Sequence, residues 1–529
     1  MPRFSIVIPT RNSAYSLKHT LMTCINQKDF DDYEIVVSNN YSTDDTEEII
    51  KQINSDKIRY YKTTKSLTMV DHFNFAISKA DGEYVFVLGS DDGVHTYGLY
   101  ALDKIISITG EKIIKCAYNY YYWPNVVVPK LQNTCIIHDF FDKPLYDFSD
   151  TVDAVNKAID TPFQCLAVLP AIYISGVVHR DIINELLKKT GTVFDSLSPD
   201  IYFGFAVSAL THSFLIVPIP FSMAGLSGTS NGMTCIYNVN STDYKNMEKI
   251  ENANGRFPKK WLLGTPTICD ALIADFTCAK KNTCSYEDIN LDYVKLMRAG
   301  LSERYVIHMY NGDSGRIAFE AELEIIKNHI KNDDSLSSVF NINSLDIKNY
   351  TFYPTEYDTA PYVTSGVIKP DLSLFNVKNI EDAIQFAENL LYPKGRIDSY
   401  LSLLAEKWKN RDVVKYFFEK FSDYTKVGIF ATGPHTERMI KTYNQYCGKG
   451  ANLFLFDNDS KKWGKIWHDM EVLPPRAIPE KDLDILIISS RKHENIIYES
   501  IKQYSNSTKI IKLYDKNSEH ALPDNTFDN

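Results

Sequence analysis

The chain has 529 residues, 44% of them hydrophobic and 23% charged, with a formal net charge of −10. One core does not serve that length, so two to four domains are expected. The acidic balance argues against a dominant nucleic-acid or anionic-membrane surface, though it leaves room for a local basic patch. Nine scattered cysteines without a C-x-x-C pair indicate neither a disulfide framework nor a zinc site, and fit a reducing cytosol.

The first ninety residues alternate strand and helix patterns. Phe4 to Ile8 reads as a strand that begins at once, without a charged and apolar leader, so no secretory signal is expected. Residues 14–26 place Leu17, Leu21, Cys24 and Ile25 on one helical face. Tyr33 to Val37 is a second strand. Ser42 to Ile53 is a helix whose Ser42-x-x-Asp45 reads as a capping box. A strand over Ile58 to Tyr61, a helix over 69–80 and a strand over 84–88 follow. Such repeats imply right-handed crossovers and a mainly parallel sheet.

Three polar loops then fall at carboxyl ends of strands: Pro9 to Ser13, Ser38 to Asp44 and Gly89 to Gly93. In an α/β sheet such loops converge on one crevice. The third loop carries Ser90, Asp91 and Asp92 directly after the apolar run Tyr84 to Leu88. Adjacent carboxylates there suit Mg²⁺ or Mn²⁺, hard cations that bridge to phosphate oxygens. The same residues are also good turn and helix-capping chemistry.

Further along, Ile113 to Tyr122, Ala167 to Val178 and Phe214 to Val217 read as strands among irregular polar stretches. Phe163 to Val178 is too short for a membrane span, which needs roughly 20 apolar residues. The cluster Tyr118, Tyr120, Tyr121, Tyr122 and Trp123 suits a sugar ring, a bilayer surface or simply a core strand. Residues 240–420 turn helical, with amphipathic runs near 286–300, 316–331, 380–392 and 398–421, and a loop-rich stretch over 333–375. A new α/β unit opens with Val427 to Phe430, continues through Ala431-Thr432-Gly433-Pro434-His435-Thr436, and has a second strand ending at Asp457. The expected organisation is an N-terminal domain over 1–235, a mainly helical extension over 236–423, a Rossmann-like domain over 424–515 and a disordered tail over 516–529.

Four places resemble the family 2 inverting glycosyltransferases of GT-A fold. Ser5 to Asn12 is similar to the family's opening strand and nucleotide loop, and Glu34 to Thr46 to its second-strand motif. Gly82 to Asp92 resembles the segment carrying the metal-binding D-x-D, and Ser198 to Tyr202 the place of the catalytic aspartate. Ala224 to Gly228, then Ser230-Asn231-Gly232, is similar to a loop closing the domain in bacterial polysaccharide members. The resemblance covers about residues 1–235. Two positions depart from it: Asn39 stands where the family usually has an aspartate, and Gly89 stands in the first Asp position of D-x-D.

The resemblance implies a mixed, mainly parallel GT-A sheet and an inverting transfer from a nucleotide-diphosphate sugar, with UDP favoured. The acceptor would be a glycan or lipid-linked glycan. It implies Asp200 as general base and Asp91, with Asp92, holding Mn²⁺ or Mg²⁺. Pro9, Thr10, Arg11, Asn39, Lys65, Ser90, Asp91 and Asp92 would contact the donor. Asp200 also suits a plain helix N-terminus, and Lys65 a plain exposed loop. The usual setting of such relatives is the cytoplasm, with peripheral contact at the inner membrane face. The C-terminal unit resembles small Rossmann-like domains of bacterial sugar-modifying proteins. Its loop lacks two fingerprint glycines, at Ala431 and Thr436, which favours an assembly role, as in a homo-oligomer or biosynthetic complex, over dinucleotide binding. The rival readings are a non-catalytic nucleotide-sugar-binding scaffold and a sugar nucleotidyltransferase. The latter usually carries a glycine-rich loop after its first strand, which Pro9-Thr10-Arg11-Asn12 is not.

Overall fold

A computed structural model describes residues 1–230, 261–339, 362–514 and Leu522, with Lys245 and Lys249. Excepted are 127, 140–142, 310–311, 365–366, 420, 448–450, 469, 491 and 506–507. It divides into two compact units, Met1–Leu401 and Ser402–Asn529. The boundaries expected at 235/236 and 423/424 do not coincide with that division.

In the first unit the alternating pattern folds as strands β1 (Phe4–Thr10), β2 (Tyr33–Asn39), β3 (Ile58–Lys62) and β4 (Tyr84–Val87). The intervening helices are α1 (Leu17–Ile25), α2 (Thr46–Gln52) and α3 (Met69–Ile77). β1 to β4 pair in parallel in the order β3-β2-β1-β4, as crossover connections require. β1, β2 and β4 are almost wholly buried, which is why they read as apolar runs rather than alternating ones.

Beyond β4 come β5 (Gly93–Val94), α4 (Gly98–Thr109), β6 (Ile113–Cys116), β7 (Asn119–Tyr122), β8 (Thr134–His138) and β9 (Asp147–Asp150). Then follow α5 (Thr151–Asp160), α6 (Cys165–Val168), β10 (Gly176–His179), α7 (Arg180–Thr190), α8 (Pro199–Ser208), β11 (Ser213–Val217) and β12 (Ser222–Leu226). The main sheet is completed as β3-β2-β1-β4-β10-β6-β11-β9, with β10 antiparallel to both its neighbours. The sheet is therefore mixed.

Three local expectations are corrected. The run Ile113 to Tyr122 is two strands, because β6 stays in the main sheet while β7 joins a second one. Ala167 to Val178 is strand only at its end: α6 and a turn precede β10. The second helix starts at Thr46, not Ser42. Ser42 Oγ accepts from Asn12 N–H instead, and so ties two loops rather than capping a helix.

The helical region holds α9 (Ile268–Thr283), α10 (Tyr293–Met309), α11 (Gly312–Lys331) and α12 (Asp334–Val339), then β13 (Tyr362–Thr364), β14 (Val367–Lys369), α13 (Ile380–Leu390) and α14 (Lys394–Glu419). It is not one extension. β13 and β14 extend the second sheet in the order β13-β14-β8-β7-β12-β5, and α13 packs on α1, β5 and β12. Glu388 of α13 explains the attachment. Its carboxylate accepts from Thr96 N–H at 2.6 Å and Thr96 Oγ at 2.8 Å, and lies 3.3 Å from His95 Nδ1. Much of the stretch expected to be loop-rich, over 340–361, lies outside the described residues, as do Asn231, Gly232 and almost all of 516–529.

The second unit carries β15 (Lys426–Phe430), α15 (Pro434–Cys447), β16 (Asn452–Phe456), β17 (Ile466–Trp467), β18 (Met470–Leu473), β19 (Ile485–Ile488), α16 (Glu494–Ile501) and β20 (Lys509–Lys512). The sheet order is β17-β18-β16-β15-β19-β20, parallel except at β17. No helix among the described residues is long and apolar enough to cross a membrane.

Burial alone would raise the Glu388 carboxyl, but hydrogen bonds and charge from His95 with hydrogen bonds from Thr96 hold it below its ordinary value. A depressed acid stabilises above its unfolded value and loses that contribution as pH falls. Glu388→Ala is therefore expected to cost about 1–3 kcal/mol at pH 7. In denaturant unfolding, its deficit against the natural chain narrows as pH drops below the carboxylate range.

Candidate functional site

The three polar loops do meet, stitched by hydrogen bonds at the carboxyl ends of β1, β2 and β4. Between the first two, Asn12 N–H donates to Ser42 Oγ, Thr43 N–H to Asn12 Oδ1, Ser13 N–H to Thr46 Oγ1 and Ala14 N–H to Asp44. The third joins through Ser90 Oγ, which donates to Ser13 Oγ at 2.7 Å.

At the end of β4, Asp91 and Asp92 are 6% and 1% exposed. Asp91 Oδ2 accepts from both Ser227 N–H (3.0 Å) and Ser227 Oγ (2.7 Å). Asp92 uses one oxygen for Gly89 N–H (2.6 Å) and the other for Gly225 N–H (2.8 Å). Asp92 is thus a staple between β4 and β12. Burial, then the neighbouring Asp91, pushes Asp92 upward, while Asp91 is raised by burial against the opposing Ser227 bonds. Trp123 Nε1–H donates to the Asp91 carbonyl from below, at 3.0 Å.

Two glycines meet close neighbours in this packing. A Cβ at Gly225 would sit 1.7 Å from the Asp91 carbonyl oxygen. One at Gly89 would meet the side-chain ends Asp92 Oδ2 and Tyr173 Oη at 2.8 Å each, so a larger residue where D-x-D begins requires those side chains to shift.

Tyr173, read only as part of an apolar stretch, is the residue the sequence reasoning missed. Its segment lies beside the end of β4, with Val87 N–H donating to the Ile172 carbonyl and Ile174 N–H to that of Val87. Its hydroxyl bonds Asp92, and its environment includes the charges of Asp91, Asp92 and Asp200 together. Tyr173 thus bonds one acid of the pair and feels the charge of Asp200 as well. The polar interruptions Gln164, Tyr173 and Ser175 were the available signal. Beneath it, buried Lys115 donates to the Leu166 and Leu169 carbonyls at 2.5 and 3.0 Å, and burial pushes its ammonium down to about 8.

Asp200 lies in the first turn of α8 and is half-buried. Its Oδ1 accepts from Ile201 N–H at 3.0 Å. Burial raises its carboxyl, opposed in part by Lys115. The other predicted contacts sit as follows. Pro9, one residue before the end of β1, is half-buried, and Arg11 is exposed just beyond it. Thr10 is buried with its Oγ1 unpartnered. Asn39 is fully buried: its Oδ1 accepts from Ser42 N–H and its Nδ2 donates to Tyr60 Oη. Both polar ends of that amide are therefore engaged in holding the loop. Asn40 clamps Leu67 through both backbone groups. Lys65 is exposed.

The residues present admit a cation in one way. Among the described residues no cluster of three or more His, Cys, Asp or Glu side chains forms a cage. Asp92 already accepts backbone N–H on both oxygens, whereas both Ser227 bonds to Asp91 fall on Oδ2, so Oδ1 of Asp91 is the oxygen to consider. Mg²⁺-type sites of one carboxylate completed by substrate phosphates and water are ordinary, so the donor set fits a cation that arrives with a diphosphate.

In the second unit the corresponding crevice is closed by its own side chains. Asp457 Oδ2 accepts from Thr432 N–H, Thr432 Oγ1 and Lys462 Nζ.

A mixed α/β sheet with a polar, acidic rim at its parallel carboxyl ends defines the class of this N-terminal region. Residues 5–166 match the family model "Glycosyl transferase family 2", and this region is a glycosyl transferase family 2 domain. The chain is 33% identical over 95 residues to the GalNAc(5)-diNAcBac-PP-undecaprenol beta-1,3-glucosyltransferase of Campylobacter jejuni, covering 17% of this chain and 30% of that protein. It is 36% identical over 94 residues to the abequosyltransferase RfbV of Salmonella typhimurium, covering 17% and 28%. The chain thus spans less than a third of the length of these two relatives. Among solved structures it is similar to Staphylococcus aureus TarS 1-349 in complex with UDP-GlcNAc. That match has 16% identity and a TM-score of 0.35 over 58% of this chain and 81% of that one. Another is the mannosyltransferase PcManGT of Pyrobaculum calidifontis in complex with GDP-Man and Mn²⁺, at 15% identity and a TM-score of 0.32 over 63% and 87%.

His72 of α3 supports the second loop from beneath, its Nε2 2.9 Å from Ser38 Oγ and 3.0 Å from the Ser38 carbonyl. Burial lowers its imidazole to about 4. It is neutral when folded, so the unfolded chain takes up the extra proton as pH falls below about 6.5, and stability declines down to about 4. Between pH 6.5 and 5 this one group is expected to cost about 2 kcal/mol. His72→Gln should flatten that part of the stability–pH curve in urea titrations.

Proposed function

We propose that the chain is an inverting glycosyltransferase. It moves a sugar from a nucleotide-diphosphate donor, UDP-linked by preference, to a glycan or lipid-linked glycan of a surface polysaccharide. The observation that carries this reading is the buried acid pair Asp91 and Asp92 at the rim where β1, β2 and β4 end, with three polar loops hydrogen-bonded together there. The names of the two curated relatives, a glucosyltransferase acting on an undecaprenol-linked glycan and an abequosyltransferase, support the substrate class.

The loops after β1 and β2 bind the nucleotide. Thr10 Oγ1, buried without a partner, offers a hydrogen bond to it, and Arg11 and Lys65 supply positive charge at the rim. Asn39 shapes the base pocket through Ser42 and Tyr60 rather than by a free amide. Asp91, with Ser90 and Asp92 fixing its loop, would hold Mn²⁺ or Mg²⁺, which when bound supplies Lewis-acid stabilisation of the departing diphosphate. Asp200 takes the proton from the acceptor hydroxyl, and its raised carboxyl makes it a better base than an exposed aspartate. Attack from the face opposite the diphosphate inverts the anomeric carbon. The C-terminal unit serves assembly, since Thr432 and Lys462 already occupy the acid that a dinucleotide ribose would need. The setting is the cytoplasm, at the inner membrane face.

A panel of UDP-, GDP-, CDP- and dTDP-sugars, with and without Mn²⁺, tests the reading through nucleotide release. Asp200→Asn is expected to lower transfer by about 10²–10⁴-fold while donor affinity survives. Asp91→Asn should weaken metal-dependent donor binding measured by calorimetry. Nucleotide binding with no release from any donor, with or without added glycan, would leave the scaffold reading in its place.

A further inference from the structure

Asp200 does not set its own position. It follows a strap, residues 193–198, that has no regular structure and turns through a left-handed residue at Ser196 (φ 66°). A non-glycine residue in that conformation needs outside support, and the strap has it at both ends. Upstream, Asn74 of α3 accepts from Val193 N–H and Phe194 N–H, and donates to the Phe194 carbonyl. Downstream, where α8 begins, Ser198 makes no side-chain cap. Its place is taken by Asp275 of α9, whose Oδ1 accepts from Leu197 N–H at 2.9 Å and Ser198 N–H at 3.1 Å.

Asp275 is wholly buried, and the Ser196 side chain bonds its carboxyl as well. Burial pushes its carboxyl up to about 7. A buried acid costs stability unless donors meet it, and the donors that meet this one are the strap's own Leu197 and Ser198 N–H groups with the Ser196 side chain. Seven residues on, at the spacing of two helical turns, Asn282 of the same helix donates to Asp195 Oδ2 and Tyr202 Oη, each at 3.1 Å. Phe276 lies against Phe205, ring centroids 5.2 Å apart. One face of α9 is therefore a splint along the strap and α8. The helix lies outside residues 5–166, the stretch matched by the family model.

We propose that Asp275 is a positioning residue for the transfer reaction, holding the turn that aims the Asp200 carboxylate at the acceptor. This rests on the reading of Asp200 as general base. A misplacement of about 1 Å can cost on the order of 100-fold in rate, and the two backbone bonds fix the residues that directly precede α8 and Asp200.

The test compares Asp275→Ala, Asp275→Asn and Asn282→Ala in the full chain, using the UDP-sugar with the fastest nucleotide release in the panel. Asp275→Ala is expected to lower kcat by about 10–100-fold with donor KM unchanged. Asp275→Asn keeps an oxygen for the same two N–H groups and should recover most of the rate, a rescue that a merely space-filling residue would not show. Asn282→Ala, which releases the strap's other contact with α9, should lower kcat less. Amide hydrogen exchange supplies a readout without turnover: Leu197 and Ser198 should exchange faster in Asp275→Ala, and as in the natural chain in Asp275→Asn. A folded Asp275→Ala with unchanged kcat and unchanged exchange at those amides overturns the proposal. So does an Asn variant as impaired as Ala in both measurements, and should Ala not fold, the Asn and Asn282→Ala results decide. If Asp200→Asn retains full transfer, the base assignment fails instead, whatever the exchange data show.

Discussion

Two adjacent carboxylates buried at the end of a parallel strand are an unfavourable arrangement unless backbone donors come to them. Here they come from a distant part of the chain: β12 delivers Gly225 N–H to Asp92 and Ser227 N–H to Asp91. The acid pair therefore dictates that β12 lie against β5 and the β4 loop, and that a glycine stand at 225. It dictates as well that Tyr173 close over Gly89, because its hydroxyl completes the bonds to Asp92. The second sheet, the turn between α6 and β10, and the rim of the first sheet are organised around that demand.

The two acids differ in what they have left to give. With both oxygens on backbone donors, Asp92 maintains the loop, whereas Asp91 takes both Ser227 bonds on a single oxygen. The buried polar groups around them follow the same logic. His72, Asn39, Asn40 and Lys115 are each sealed in and each bonded to backbone, so they hold loops in place and leave the chemistry to their neighbours. Groups held in this way are preorganised, and preorganised donors spend no free energy on reorganising when they are used.

Segments far along the chain complete this unit. Glu388 fastens α13 to the turn after β5, and His19 pairs with Glu381 of the same helix at 2.6 Å. α9 in turn packs along α8. The strap before Asp200 is thus held at one end by Asn74, within the family-matched residues 5–166, and at the other by Asp275 of α9, outside them.

The alternation of apolar runs and polar loops over residues 4–92 was enough to determine a parallel sheet and the convergence of three loops, because period and crossover handedness are local properties. The resemblance of Ser198 to Tyr202 pointed to Asp200 for the same local reason. Tertiary structure alone decided the rest. Ile113 to Tyr122 splits between two sheets because its halves find different partners, Ser42 bonds a neighbouring loop instead of a helix end, and Tyr173 gains its position only when residues some eighty apart meet beside β4. Asp275 and Glu388 carry no motif at all. A buried carboxylate is specified by the backbone donors that surround it, and those donors are brought together only by folding.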